Sequence, residues 1–332
     1  MNRNLLSIIF AFSAAVFYAL SIPLSKLLLV EMTPVMLAGM LYLGAGIGIG
    51  AIFPFSIKKQ GKKNLLPKSD LPYVLGMIFL DIAAPILLMF GIKSTSGGSA
   101  ALLNNFEIVA TALIALVFFK EKISPKLWVA IALVTLSSVL LTWREDMTFS
   151  YGALLVLAAT VCWGLENNCT RKISDKNPYE TVMIKGLCCG TSGIIIAFII
   201  GERFPVWQYI LLALLLGFVA YGLSILFYIK AQSKLGAAKT SAFYAINPFI
   251  GAGLSLILFN DVLAWNFYVA LGIMAVGTIL IIIDTLERRH SHLHTHIVTH
   301  THDGTTHTHI IEHEHTHSHY GAEEKHNHHH NI

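Results

Sequence analysis

Histidine is absent from residues 1–289, and all 16 histidines lie in the segment that follows. Charge is scarce too. Lys, Arg, Asp and Glu make up 13% of the 332 residues, about half the share of an ordinary soluble domain. There is no G-x-x-x-x-G-K-[ST] phosphate loop, which excludes ATP-driven transport by this chain alone. No polar stretch is long enough to house an enzyme active site, so the chain is read as a non-enzyme. Cysteine is rare: Cys162, Cys169, Cys188 and Cys189 form no C-x-x-C pair and all fall in apolar runs. They are read as small packing residues.

What the chain does have is apolar length. Ten runs recur at 5–29, 34–56, 71–92, 97–119, 125–143, 151–171, 178–200, 207–230, 237–259 and 264–284. Each is long enough to cross about 30 Å of hydrocarbon as a helix. The first run continues past any small-residue cleavage site, so it is read as a retained span rather than a signal peptide. Lys58, Lys59, Lys62, Lys63 and Lys68 lie between spans two and three, and Lys120, Lys122 and Lys126 between four and five. Arg171, Lys172, Lys176, Lys230, Lys234, Lys239, Arg3, Arg288 and Arg289 fall on the same side. The other side has Lys26, Lys93, Arg144 and Arg203. The positive-inside rule then predicts an integral protein of the cell (inner) membrane with both termini cytoplasmic. The net charge of +4 reflects this bias, and no nucleic-acid partner is expected.

The second half repeats the first. A shift of 140 residues lays Phe119-Lys120-Glu121 over Phe259-Asn260-Asp261, Glu107 over Asn247 and Trp128 over Tyr268. Nearby offsets lay Tyr18-Ala19-Leu20 over Trp163-Gly164-Leu165, and Pro34 over Pro178. These matches divide the chain into a repeat at 1–144, a repeat at 145–289 and a tail at 290–332. Five spans per unit is an odd number, so the second copy enters the membrane inverted. Inverted repeats place a substrate site near the midplane, between the halves. The fold class is therefore all-α: ten transmembrane helices as two inverted five-helix repeats, with a disordered His-rich tail.

The stretch Gly98–Glu107 with Phe119-Lys120-Glu121, and Gly236-Ala237-Ala238, Asn247-Pro248 and Phe259-Asn260-Asp261, resemble the EamA-type transporters of the drug/metabolite transporter superfamily. The resemblance covers about residues 5–284. It implies a carrier of small organic molecules. Ile108 stands where the family has proline in span four, while Pro248 keeps it in span nine. A proline kink is thus implied only for span nine.

Charges inside a bilayer are costly, so they face a cavity or a partner. Asp81 lies mid-span three, Glu107 mid-span four, Glu166 in span six and Lys185 in span seven. Asn104 and Glu107 are three residues apart and share a helix face, and Tyr244 and Asn247 repeat that spacing. These residues, with Asn167 beside Glu166, are candidates for a substrate or proton site. The competing reading is a polar clamp between helices. For Glu166 and Lys185 it is an ion pair, or a lysine snorkelling to the interface. Tyr18, Tyr221 and Tyr228 are further cavity-wall candidates. Gly39, Gly44, Gly46, Gly48 and Gly50 form a stripe in span two that predicts close helix packing.

The tail alternates histidine with small or polar residues. Its candidate metal ligands are His290, His292, His294, His296, His300, His302, His307, His309, His313, His315, His317 and His319. Neutral imidazole suits zinc or nickel. The low apolar content predicts no independent fold. No cofactor is required by this reading. The partners expected are the bilayer, a small-molecule substrate and, on the tail, transition-metal ions. The sequence leads to a secondary transporter exporting a small organic metabolite, amino acid or drug-like, with protons as one candidate coupling ion. A transition-metal transporter and a metal-responsive membrane sensor are the alternatives.

Overall fold

Helices begin where the sequence supplies a start signal. The Ser96 hydroxyl accepts from the Ser99 N–H, the Ser150 hydroxyl from the Ala153 N–H, and the Asn177 carboxamide from the Tyr179 N–H with Pro178 as the first helical residue. The computed structural model describes residues 3–60, 65–120, 123–142, 150–173, 176–235, 244–260, 263–302 and 305–320, with the backbone alone from residue 285 onward. In chain order the helices are α1 (Arg3–Ala19), α2 (Ser21–Leu28), α3 (Pro34–Gln60), α4 (Leu71–Lys93), α5 (Gly97–Leu103), α6 (Phe106–Phe119) and α7 (Pro125–Thr142). The second half supplies α8 (Tyr151–Arg171), α9 (Pro178–Ile199), α10 (Trp207–Gly217), α11 (Ser224–Leu235), α12 (Asn247–Phe259) and α13 (Trp265–Leu286). A π-helical turn at Phe218–Leu223 joins α10 to α11.

Among the described residues, eight segments are long and apolar enough to cross a membrane. The sixth expected span is the 21-residue helix α8, outside that set because Glu166, Asn167 and Asn168 lower its hydropathy. The ninth is the short helix α12. Phe79, Val117, Ile195 and Ile257 are among the large apolar side chains left on the outside, as a lipid-facing surface requires.

Span one breaks at Leu20, between α1 and α2. Span four breaks at Asn104-Asn105, although it lacks the family's proline. The Asn105 carboxamide donates to Thr278 Oγ1 at 2.8 Å, so a side-chain tie to α13 accompanies the break. In the second half, α12 starts at Asn247 with Pro248 in its first turn. The helices α6 and α12 end alike, on Lys120 at φ 55° and Asn260 at φ 46°. These left-handed caps sit where the 140-residue shift aligns them. Glu121, Asp261 and Gly236-Ala237-Ala238 lie outside the described residues.

Among the described residues, the most extensive helix contacts all join one half of the chain to the other: α3 with α9, α4 with α8, α7 with α13, and α1 with α11. The glycine stripe makes the first of these. A Cβ on Gly39 would lie 2.8 Å from the Ile194 nitrogen, and one on Gly46 would lie 2.4 Å from the Leu187 nitrogen. On the neighbouring face, a Cβ on Gly44 would lie 2.1 Å from the Leu214 carbonyl oxygen and one on Gly48 2.0 Å from the Phe218 ring. Gly50 is looser, with Met183 Cγ at 3.4 Å. The α3 amino end is held by Glu202, whose carboxylate accepts from the Val35 and Met36 N–H groups at 3.4 and 2.7 Å.

Beyond α13 the backbone forms two antiparallel strands, β1 (Glu287–His302) and β2 (Thr305–Tyr320). Low apolar content by itself points to a disordered tail. Its threonines, isoleucines and valine favour extended chain, and alternation of residue type suits a strand. His326 and His328–His330 lie outside the described residues.

Candidate functional site

Three helices bring charge to one point in the membrane body. Asp81, fully buried on α4, receives Lys185 Nζ from α9 at 2.7 Å. The same ammonium lies 2.9 Å from Glu166 Oε1 on α8. Asp81 Oδ1 also accepts from the Tyr42 hydroxyl at 3.0 Å and from the Trp163 indole N–H at 3.2 Å. Glu166 accepts from the Thr170 hydroxyl one turn along its own helix. Buried charges persist only when paired and hydrogen-bonded, and both conditions are met here.

Glu107 stands apart from this triad. It occupies the first turn of α6, at the midspan break, where the helix dipole favours a carboxylate. Its Oε1 accepts from Asn167 Nδ2 at 2.8 Å, and Asn167 also reaches Thr111 Oγ1 at 3.2 Å. Asn168 donates to the Gly164 carbonyl at 2.8 Å, within α8. Among the described residues, the buried carboxyl groups of Asp81 and Glu166 and the half-buried Glu107 therefore share this region with one buried ammonium, that of Lys185.

Aromatic rings connect the parts. Tyr228 packs on Tyr244 at 5.0 Å between centroids, Tyr244 on Tyr18 at 5.6 Å, Tyr18 on Tyr221 at 5.9 Å and Tyr221 on Tyr42 at 5.3 Å. The row ends at Asp81, through the Tyr42 hydroxyl. Asn104 Nδ2 reaches the Tyr18 hydroxyl at 3.5 Å. Asn104, Tyr18, Ser21, Asn247 and Pro248 line a small hollow where the broken spans one and four meet the start of α12. Asn247 donates to the Tyr244 carbonyl at 2.9 Å, closing the turn into α12.

The candidate residues thus fall into three groups. Asp81, Glu166 and Lys185 form the triad, Glu107 and Asn167 a hydrogen-bonded pair, and Asn104, Tyr244 and Asn247 border the hollow or its tyrosines. The pairing of Glu166 with Lys185 agrees with the sequence reading; the entry of Asp81 into the same cluster is new. Tyr42 and Trp163 are hard to single out as site residues in the sequence, because tyrosine and tryptophan in spans are commonly interfacial anchors. Their depth inside apolar runs was the available signal. The π-helical turn that carries Tyr221 has no sequence marker beyond its flanking Gly217 and internal Gly222. Such turns recur at functional sites.

Apolar helices with a lipid-facing exterior and a buried ionic centre define a multi-pass membrane protein. The model of the EamA-like transporter family matches twice, at residues 5–143 and 150–283. The chain belongs to the EamA-like transporter family. An uncharacterized transporter of Methanothermobacter thermautotrophicus is 24% identical over 280 residues, covering 78% of this chain and 81% of that protein. The uncharacterized transporter YyaM of Bacillus subtilis is 22% identical over 240 residues, covering 68% and 75%. A solved structure titled only "Crystal structure of protein" superposes with a TM-score of 0.61 at 16% identity, covering 82% of this chain and 94% of that one.

Proposed function

We propose that the protein is a ten-span secondary transporter, built as two inverted five-helix repeats, that exports a small organic metabolite of amino-acid or drug-like size. Its termini are cytoplasmic, and proton coupling runs through Glu107, with Asp81 as the second candidate. The observation that carries this reading is the position of Glu107. It sits at a helix break in the middle of its span and is held by Asn167 from the opposite half. Broken helices at a repeat interface are where secondary carriers place their sites. With more carboxyl groups than ammonium groups, the centre can take up a proton or a cationic group. The tyrosine row and Asn104 offer rings and amides to an organic substrate.

The metal-carrier alternative calls for clustered ligands along the pathway. Among the described side chains, which end at Asp284, no group of three or more His, Cys, Asp or Glu is arranged to hold a metal ion.

Substrate is found by comparing metabolites and metals in cells with and without the protein, then confirmed in proteoliposomes. Glu107→Gln keeps the shape and most hydrogen bonding of the side chain. We expect it to remain folded, to lose at least tenfold of proton-driven flux, and to retain substrate exchange, which moves no net proton. A variant with unchanged stability, affinity and pH-dependent flux would remove Glu107 from the mechanism.

A further inference from the structure

The register of the C-terminal strands orders the histidines in a way their number alone does not. In β1 and β2, His290 lies opposite His317, His292 opposite His315, His294 opposite His313 and His300 opposite His307. Successive residues of a strand alternate between faces. With this register, even-numbered positions of β1 share a face with odd-numbered positions of β2. Every histidine of β1 has an even number, and every histidine of β2 an odd one. All 12 strand histidines therefore occupy one face. The other face carries Leu293, Ile297, Ile310, Glu312 and Glu314 among serines and threonines.

We propose that this face is a multi-ion site for borderline divalent transition metals, with zinc or nickel as the fitting ions. The inference does not depend on what the membrane body carries. Directly opposed Cβ atoms in a sheet are about 4.5–5.5 Å apart. Residues two apart along a strand are separated by about 7 Å. The positions 290, 292, 315 and 317 thus form a compact rectangle of four imidazole-bearing residues. Four nitrogens at about 2.0–2.1 Å satisfy tetrahedral zinc. The positions 294 and 313 extend the ladder, and 300 and 307 form a separate pair nearer the turn. A one-residue slip of register would divide the histidines between both faces, so the pattern and the pairing are mutually specific. The residues linking the strands are Asp303-Gly304, a pair that as sequence favours a two-residue hairpin connection. An isolated two-stranded hairpin is marginal in water. Bound metal supplies the missing stability, and ion binding and sheet formation are one equilibrium.

The test uses the full-length protein in lipid nanodiscs, titrated with zinc chloride by calorimetry and by bound-metal analysis after gel filtration. It is compared with a chain ending at Arg289. A second variant exchanges neighbours, His292→Leu with Leu293→His and Glu314→His with His315→Glu. Histidine count and composition stay the same, but the exchanged histidines move to the other face. We expect the native protein to bind at least two more zinc ions than the truncated one, with a rise in strand signal in circular dichroism. In the exchange variant we expect the tightest site to weaken at least tenfold. Equal binding by native and truncated proteins would overturn the metal site. Undiminished binding by the exchange variant would overturn the sheet geometry, leaving chelation by a chain of any shape.

Discussion

Lys185 is the residue whose loss the membrane body should tolerate least. It is the ammonium beside both Asp81 and Glu166, and removing one member of a buried ion pair costs about 3–5 kcal/mol. Lys185→Met should lower the melting temperature of the detergent-solubilised protein markedly. Adding Asp81→Asn and Glu166→Gln to that variant should restore much of the loss, since the neutral triad leaves no stranded charge. A single Lys185→Met variant that melts like the native protein would show that the triad does not hold the helices together. The charges were legible in the sequence because each interrupts an apolar run. Their grouping was legible only in part. Glu166 and Lys185 lie toward the same membrane face, which pairs them. Asp81 belongs to the other half of the chain, and no helical spacing relates it to either partner.

Among the elements, α3 is the one most closely enclosed. Gly44→Val would press a branched side chain on the Leu214 carbonyl of α10. Overpacking of this kind costs about 1–3 kcal/mol, and here the obstacle is backbone. We expect a sharp fall in the yield of monodisperse protein. Gly272→Val on α13, where a Cβ would meet nothing within 4 Å, is the control and should express normally. The glycine stripe and most helix positions could be read from sequence, since both follow from residue type. The break in span four could not, because Ile108 stands where the family has proline and Asn104-Asn105 gives no comparable signal. In the tail two sequence signals oppose each other: low apolar content points to disorder, while alternation of residue type suits a strand.

For the whole molecule, orientation rests on the lysine and arginine asymmetry, a property of the sequence rather than of the fold. Single cysteines at Gly61 and Ser291, in a background lacking the four native cysteines, should resist a membrane-impermeant maleimide in intact cells and react after permeabilisation. Labelling from outside would reverse the topology. The cross-half pattern of helix contacts has a consequence for biosynthesis. The halves leave the ribosome one after the other, and α4 enters the bilayer before α9 exists. Asp81 must wait for Lys185 while on the order of a hundred further residues are made, roughly 5–20 s at ordinary synthesis rates. The nascent first half is then a set of helices without their packing partners, carrying an unmatched acid. Its survival to completion, more than the finished protein's stability, should set how much transporter a cell accumulates.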